Sequence, residues 1–170
     1  TNITYLRQLL QHQAYIDNNF STKYCDEYSQ DLLDEITAGK AAIPLHIPGI
    51  AYYLYDFNSR EHIRSHNGND VWNHIGYWRD LMELDGMVEK HPFKLKIEKI
   101  KDDVYYLLTE YGNHTAQIRV CEEGYLELLL DEHQYEFFIS TDEEGNGYVS
   151  HNGFIFDVTR HDVLYGNQEI

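Results

Sequence analysis

From residue 81 onward the chain is a train of short apolar runs cut by turn residues, and this pattern constrains the fold more than any other feature. The runs are Leu81 to Leu84, Phe93 to Ile100, Val104 to Glu110, Thr115 to Cys121, Tyr125 to Leu130, Gln134 to Ser140, Gly147 to His151 and Phe154 to Thr159. Phe93-Lys-Leu95-Lys-Ile97-Glu and Ala116-Gln-Ile118-Arg-Val120 alternate apolar and polar residues, the period of a strand with one buried face. Between the runs stand Gly112-Asn113, Glu123-Gly124, Glu144-Gly145-Asn146-Gly147 and Asn152-Gly153. Such residues tolerate the left-handed backbone that tight hairpins need. About eight sequential hairpin-linked strands predict an antiparallel meander, and closing it into a barrel removes its unpaired edges.

Helical patterns precede the strands. Asn2 to Tyr15 carries Ile3, Leu6, Leu10 and Ala14 at helical spacing, with Leu9 beside them and Thr1 or Asn2 as the cap. The polar run Asp17 to Thr22 ends this helix. A second helix is expected from about Thr22 to Ile36, with Tyr24, Leu32, Leu33 and Ile36 as its apolar contacts and Gly39 as the C-cap glycine. Pro44 and Pro48 suit helix starts or a broken helix, because proline lacks a backbone donor. From Pro48 to about Ile63 the residues are apolar on nearly every face, and Ile50, Tyr53, Leu54 and Phe57 are the candidate core positions. A helix apolar all round is a buried helix. This one is too short and too polar at its end to span a bilayer. A helix that needs walls and a meander that needs a filling predict one α+β arrangement. It is an eight-stranded antiparallel β-barrel around a central α-helix, preceded by a short helical segment. The division is expected between a segment 1–40 and a helix-in-barrel domain 41–170.

Between helix and strands, Ser65 to Asp70 reads as a turn-rich linker. Val71, Trp72, His74, Ile75, Gly76, Tyr77, Trp78 and Arg79 follow without a helical or strand period. Trp and Arg dominate interface hot spots, and loops of this kind carry contacts, so this hook, about residues 65–80, is the candidate partner-binding site. The blander alternative is that both tryptophans plug a barrel end and Arg79 pairs with a carboxylate.

The remaining constellations point to little chemistry. His62 and His66 have the spacing of two zinc ligands on one helix face, but no third ligand has matching spacing. Asp142 to Gly147 lacks the alternate acids and closing Glu of a calcium loop. Asp102-Asp103 and Asp131-Glu132 are adjacent pairs; on a strand adjacent side chains point to opposite faces, so both pairs read as turn residues. No catalytic residue and no metal site are expected. The net charge of −16 argues against nucleic acid and against an acidic membrane surface, and leaves room for a basic protein partner. Cys25 and Cys121 form no disulfide framework, which with the absence of a signal-like stretch suggests a cytoplasmic protein. Thr1 in place of Met suggests a processed or excised chain.

Two stretches resemble a known family. Thr1-Asn2-Ile3-Thr4-Tyr5-Leu6, then Leu10, His12 and Phe20-Ser21-Thr22-Lys23-Tyr24, resemble the end of a biotin carboxylase domain in order and spacing. Trp72 and Gly76-Tyr77-Trp78-Arg79 resemble the hook of the helix-in-barrel domain that follows it in the alpha subunits of propionyl-CoA and methylcrotonyl-CoA type carboxylases. The resemblance implies a non-catalytic interaction domain of a biotin-dependent acyl-CoA carboxylase, a ligase. It would join the rest of the biotin carboxylase subunit to the carboxyltransferase (beta) subunit. Biotin, ATP and Mg would serve the holoenzyme, and none would bind this segment, which carries neither an ATP-grasp glycine loop nor a Met-Lys-Met biotin site. Two departures stand out: the central helix is tyrosine-rich, and Tyr77 interrupts the Gly-Trp-Arg element. The alternatives are a small-molecule-binding β-barrel of lipocalin-like kind, which needs a hollow interior, and a zinc-dependent enzyme using the histidines.

Overall fold

A computed structural model describes residues 3–19, 21–66, 81–142 and 146–161, with the side chains of 60–66 and 81–82 excepted. The described elements are α1 (Ile3–Gln11), α2 (Gln13–Ile16), α3 (Tyr24–Ala41), α4 (His46–His66), β1 (Leu81–Val88), β2 (His91–Lys101), β3 (Val104–Thr109), β4 (Gly112–Glu122), β5 (Tyr125–Leu130), β6 (His133–Thr141), β7 (Gly147–His151) and β8 (Phe154–Arg160). Each of the eight expected strands is present, with β1 running four residues past Leu84.

The strands follow one another in chain order around a closed antiparallel barrel. Closure is made by Gly86, Met87 and Val88 of β1 pairing with Arg160, Thr159 and Val158 of β8. Burial alternates along the strands, so Phe93, Leu95 and Ile97 of β2 are buried while Lys94, Lys96 and Glu98 are exposed. Tight turns join the strands. Asn152 and Gly153 have φ of 51° and 81°, Asp131 and Glu132 47° and 71°, and Glu89 and Lys90 50° and 67°. Paired positive φ is the backbone of two-residue hairpin turns. The acidic pair Asp131-Glu132 is thus a turn, as is Asp102-Asp103, where Asp103 has φ 59°.

One turn differs from expectation. Gly112-Asn113 lies in β4, and the chain reverses at Glu110-Tyr111 instead. Thr109 places it: its hydroxyl accepts from the Tyr111 N–H at 3.1 Å and donates to the Gly112 carbonyl at 3.1 Å. The pairing register shifts between Lys99 and Lys101 in β2 and between Ile118 and Val120 in β4.

The chain divides into two compact units. The first runs to Pro44 and includes Asn152–Ile155; the second takes in α4 and the strands, save Phe154 and Ile155 at the start of β8. In the first unit α1 packs on α3, and Tyr24 and Leu32 are buried. The helix expected over Asn2 to Tyr15 is broken at His12, which is extended (φ −64°, ψ 138°) and caps α2. The Tyr24 hydroxyl holds the His12 Nδ1 at 2.7 Å, and the ring packs against Tyr28. Gly39 does not cap α3, which runs on to Ala41. The glycine serves close packing, since a Cβ there would stand 2.6 Å from the Phe154 ring.

In the second unit α4 begins at His46, two residues before Pro48, which therefore lies in the first turn where its missing N–H costs nothing. Its described first half is buried on every side: Ile50, Ala51, Tyr52, Tyr53 and Leu54 are all at most 1 % exposed. Five consecutive residues cover the whole circumference of a helix. α4 packs against β1, β2, β4, β5, β6 and β7.

Candidate functional site

Three features of the second unit carry its chemistry: the side chains between α4 and the strands, and a polar cluster at each end of them. Of the sequence-named core positions, Ile50, Tyr53 and Leu54 are buried, and Phe57 is half-buried with its ring edge-on to Tyr105 at 6.1 Å. Tyr53 stacks on Phe93 at 5.9 Å and meets Tyr52 edge-on at 5.5 Å. Glycines make room for these rings. Gly147 lies under the Tyr52 ring and Gly86 under the Tyr53 hydroxyl, while a Cβ at Gly49 would stand 2.8 Å from the Phe93 ring. The Tyr53 hydroxyl is buried with no partner among the described residues, and burial pushes its pKa well above the phenol range.

Toward the C-terminal half of α4, polar side chains tie the helix to the strands. The Asn58 amide donates to the Leu54 carbonyl at 2.8 Å, and the Tyr105 hydroxyl of β3 donates to Asn58 Oδ1 at 3.2 Å. The Tyr55 hydroxyl accepts the Gly124 N–H in the β4–β5 turn at 2.9 Å. Asp56 pairs with Arg160 of β8, both side chains less than a fifth exposed. A half-buried ion pair of this kind contributes orientation more surely than stability.

At the start of α4 the His46 ring stacks on His114 of β4 at 4.8 Å and lies 5.5 Å from Tyr111. His114 donates from Nδ1 to Asp131 Oδ2 at 2.6 Å, and Asp131 also accepts the Thr115 N–H at 2.9 Å. Burial and the neighbouring His114 lower the pKa of His46, keeping it neutral near pH 7. Burial raises the Asp131 pKa, but the hydrogen bonds from His114 and Thr115 outweigh it and hold the carboxyl below its ordinary range. His114 Nε2 is buried and has no partner among the described residues, so the imidazole is closed to an incoming substrate on that side. Sequence reading missed this cluster because its members come from three separate segments: α4, the β3–β4 hairpin and the β5–β6 turn. The only local signal was the turn pair Asp131-Glu132.

The hook residues Val71, Trp72, His74, Ile75, Gly76, Tyr77, Trp78 and Arg79 lie outside the described residues, as do the side chains of His62 and His66. Among the described residues no group of three or more His, Cys, Asp or Glu side chains is placed to hold a metal. Cys25 is exposed and Cys121 half-buried, and both are free; burial raises the pKa of Cys121 and makes it a poor nucleophile at neutral pH. No described helix is long and apolar enough to cross a membrane. No protein-family model matches the chain, and no significant match is found among curated proteins.

Proposed function

We propose that α4 is the filling of the barrel and that the chain is a non-catalytic interaction domain of a biotin-dependent acyl-CoA carboxylase, preceded by the tail of its biotin carboxylase domain. The observation that carries this reading is α4 itself: its described first half is buried around the full circumference, and the helix packs against six of the eight strands. Side-chain bonds from Tyr55, Asp56 and Asn58 reach the β4–β5 turn, β8 and β3 as well. A ligand-binding barrel needs that space for its ligand, whereas a docking domain needs a rigid body to present its loops.

A second feature supports the attachment to a larger domain. Ile3, Leu6 and Leu10 form one stripe of α1 and are each at least 54 % exposed; Ile16 and Leu33 of the same unit are exposed too. An amphipathic helix with its apolar stripe in solvent is suited to packing on further protein. The tail resemblance supplies that protein as the body of the biotin carboxylase domain. The role of the barrel is then geometric. It keeps the carboxylase and carboxyltransferase centres within reach of one biotin arm, raising its effective concentration at both. In this reading ATP, Mg and biotin act on other parts of a cytoplasmic holoenzyme.

The test is titration of the chain against carboxyltransferase subunits of the same organism, with Trp72→Ala and Arg79→Ala variants alongside. Binding that weakens in either folded variant supports docking through the hook. A folded chain that binds none of these subunits refutes the assigned function while leaving the barrel in place. ANS fluorescence tests the filling separately: a filled barrel leaves the dye dim, and strong emission abolished by an apolar competitor refutes it.

A further inference from the structure

The outer wall of β5, β6 and β7 carries an aromatic surface that neither the barrel interior nor the proposed hook uses. Strand alternation turns Tyr125, Phe138 and Tyr148 outward, because Leu126, Phe137, Ile139 and Val149 are buried beside them. Tyr125 stands directly across from Phe138, with ring centroids 5.4 Å apart. Tyr148 pairs with Ser140, and Ser150 with Phe138, so Tyr148 is the diagonal neighbour of Phe138. Phe138 is 61 % exposed and Tyr148 42 %.

The same wall is acidic. Glu122 stands opposite Tyr125, and Glu127 directly opposite Glu136. Like charges facing each other across two strands oppose folding. Glu127 accepts one hydrogen bond, from Gln134 at 3.0 Å, but among the described residues no ion pair offsets Glu122, Glu127 or Glu136. Burial and then these three carboxylates raise the Tyr125 phenol, so their field converges on the aromatic pair.

We propose that the outer face of β5–β7 docks a basic protein segment, an arginine lying over Phe138 and Tyr125 with its guanidinium between Glu127 and Glu136. A planar guanidinium stacks on aromatic rings and donates to carboxylates at its edge, which this face offers side by side. The charge of the chain selects the occupant. A second copy carries the same −16, and nucleic acid or an anionic bilayer is repelled for the same reason. The inference stands independently of the carboxylase reading, because it uses neither the hook nor α1.

The experiment is a two-dimensional amide NMR titration of the full chain with a capped peptide of alternating glycine and arginine, against a glycine–glutamate peptide of equal length. Expected are shifts confined to β5–β7 with the arginine peptide, weakened by salt, and none with the glutamate peptide. Phe138→Ala should weaken binding by about tenfold, and Glu127→Gln with Glu136→Gln by severalfold while raising thermal stability through removal of the repulsion. Shifts spread over the whole acidic surface, or an affinity unchanged in Phe138→Ala, overturn the proposal. So does a dimer in sedimentation that Phe138→Ala dissolves, since the face would then belong to a second copy.

Discussion

Gly147→Ala probes how tightly α4 and the strands are matched. Gly147 opens β7 and has no left-handed φ, so alanine meets no backbone strain there. The methyl group would instead enter the Tyr52 ring, meeting its Cε2 and Cδ2 first and standing 2.9 Å from Cζ. Tyr52 is 1 % exposed and held edge-on by Tyr53, which is itself stacked on Phe93, so the ring has nowhere to swing. Overpacking of this kind costs about 1–3 kcal/mol. The smaller entropy of the unfolded alanine chain returns roughly 0.4–1 kcal/mol. The net loss is about 1–2 kcal/mol, or roughly 2–8 °C in Tm for a chain of this size. Urea unfolding followed by circular dichroism measures it. The decisive comparison is a double-mutant cycle with Tyr52→Leu, which removes the ring plane over Gly147. In that background Gly147→Ala should cost less than about 0.5 kcal/mol. Equal losses in both backgrounds would refute the argument, because the penalty would then come from something other than the ring.

Three further outcomes are expected. Tyr53→Phe should leave stability unchanged or raise it by about 1 kcal/mol in urea, since the lost hydroxyl has no described partner; a loss of similar size would reveal one. Asn58→Ala should cost about 1–3 kcal/mol, read in the same assay, because the amide joins the Leu54 carbonyl to the Tyr105 hydroxyl in a buried site. Acidification should lower Tm in two stages. The folded pKa of His46 is depressed, so the unfolded chain binds its proton first and stability falls as pH drops below about 6.5. The depressed Asp131 contributes stability above its unfolded pKa of about 3.9, lost as pH falls through the lower folded value. His46→Phe should keep the ring stack and flatten the first stage in a Tm-versus-pH series, leaving the second.

The strands were legible because two local signals agree along each one. Alternation marks the buried face, and residues tolerant of positive φ mark the reversals, as at Asn152-Gly153. Glu89-Lys90 shows the limit of the second signal. Neither residue is a usual turn former, yet both adopt positive φ, with the Glu89 carboxylate accepting the Asp157 N–H at 2.8 Å. A contact 68 positions away decides that reversal. Side-chain bonds also go with the reversal at Thr109, whose hydroxyl holds the β3–β4 turn away from Gly112-Asn113 through its immediate neighbours, and with the extended backbone of His12, which bonds to Tyr24. In each case a side chain bonds to a specific partner, and general turn or helix propensity does not encode that bond.

The tyrosine-rich character of α4 makes the point more generally. A tyrosine reaches farther from a helix axis than leucine, so a helix bearing Tyr52 and Tyr53 on neighbouring faces needs thinner walls opposite them. The thinning appears as Gly147 opposite Tyr52 and Gly86 opposite the Tyr53 hydroxyl, with Gly49 on the helix itself receiving Phe93. Read alone, Gly147 looks like part of a turn and Gly86 like a break in a strand. Read alone, the tyrosines look like poor filling for a barrel because each brings a hydroxyl. Only the pairing explains both: the glycines admit the rings, and Tyr55, one turn from the glycine-facing pair, carries its hydroxyl out to the Gly124 N–H. Two residue types that each look unsuited to close packing therefore combine into a tight local fit between α4 and the strands, and an aliphatic replacement of Tyr52 leaves a cavity unless Gly147 is enlarged with it.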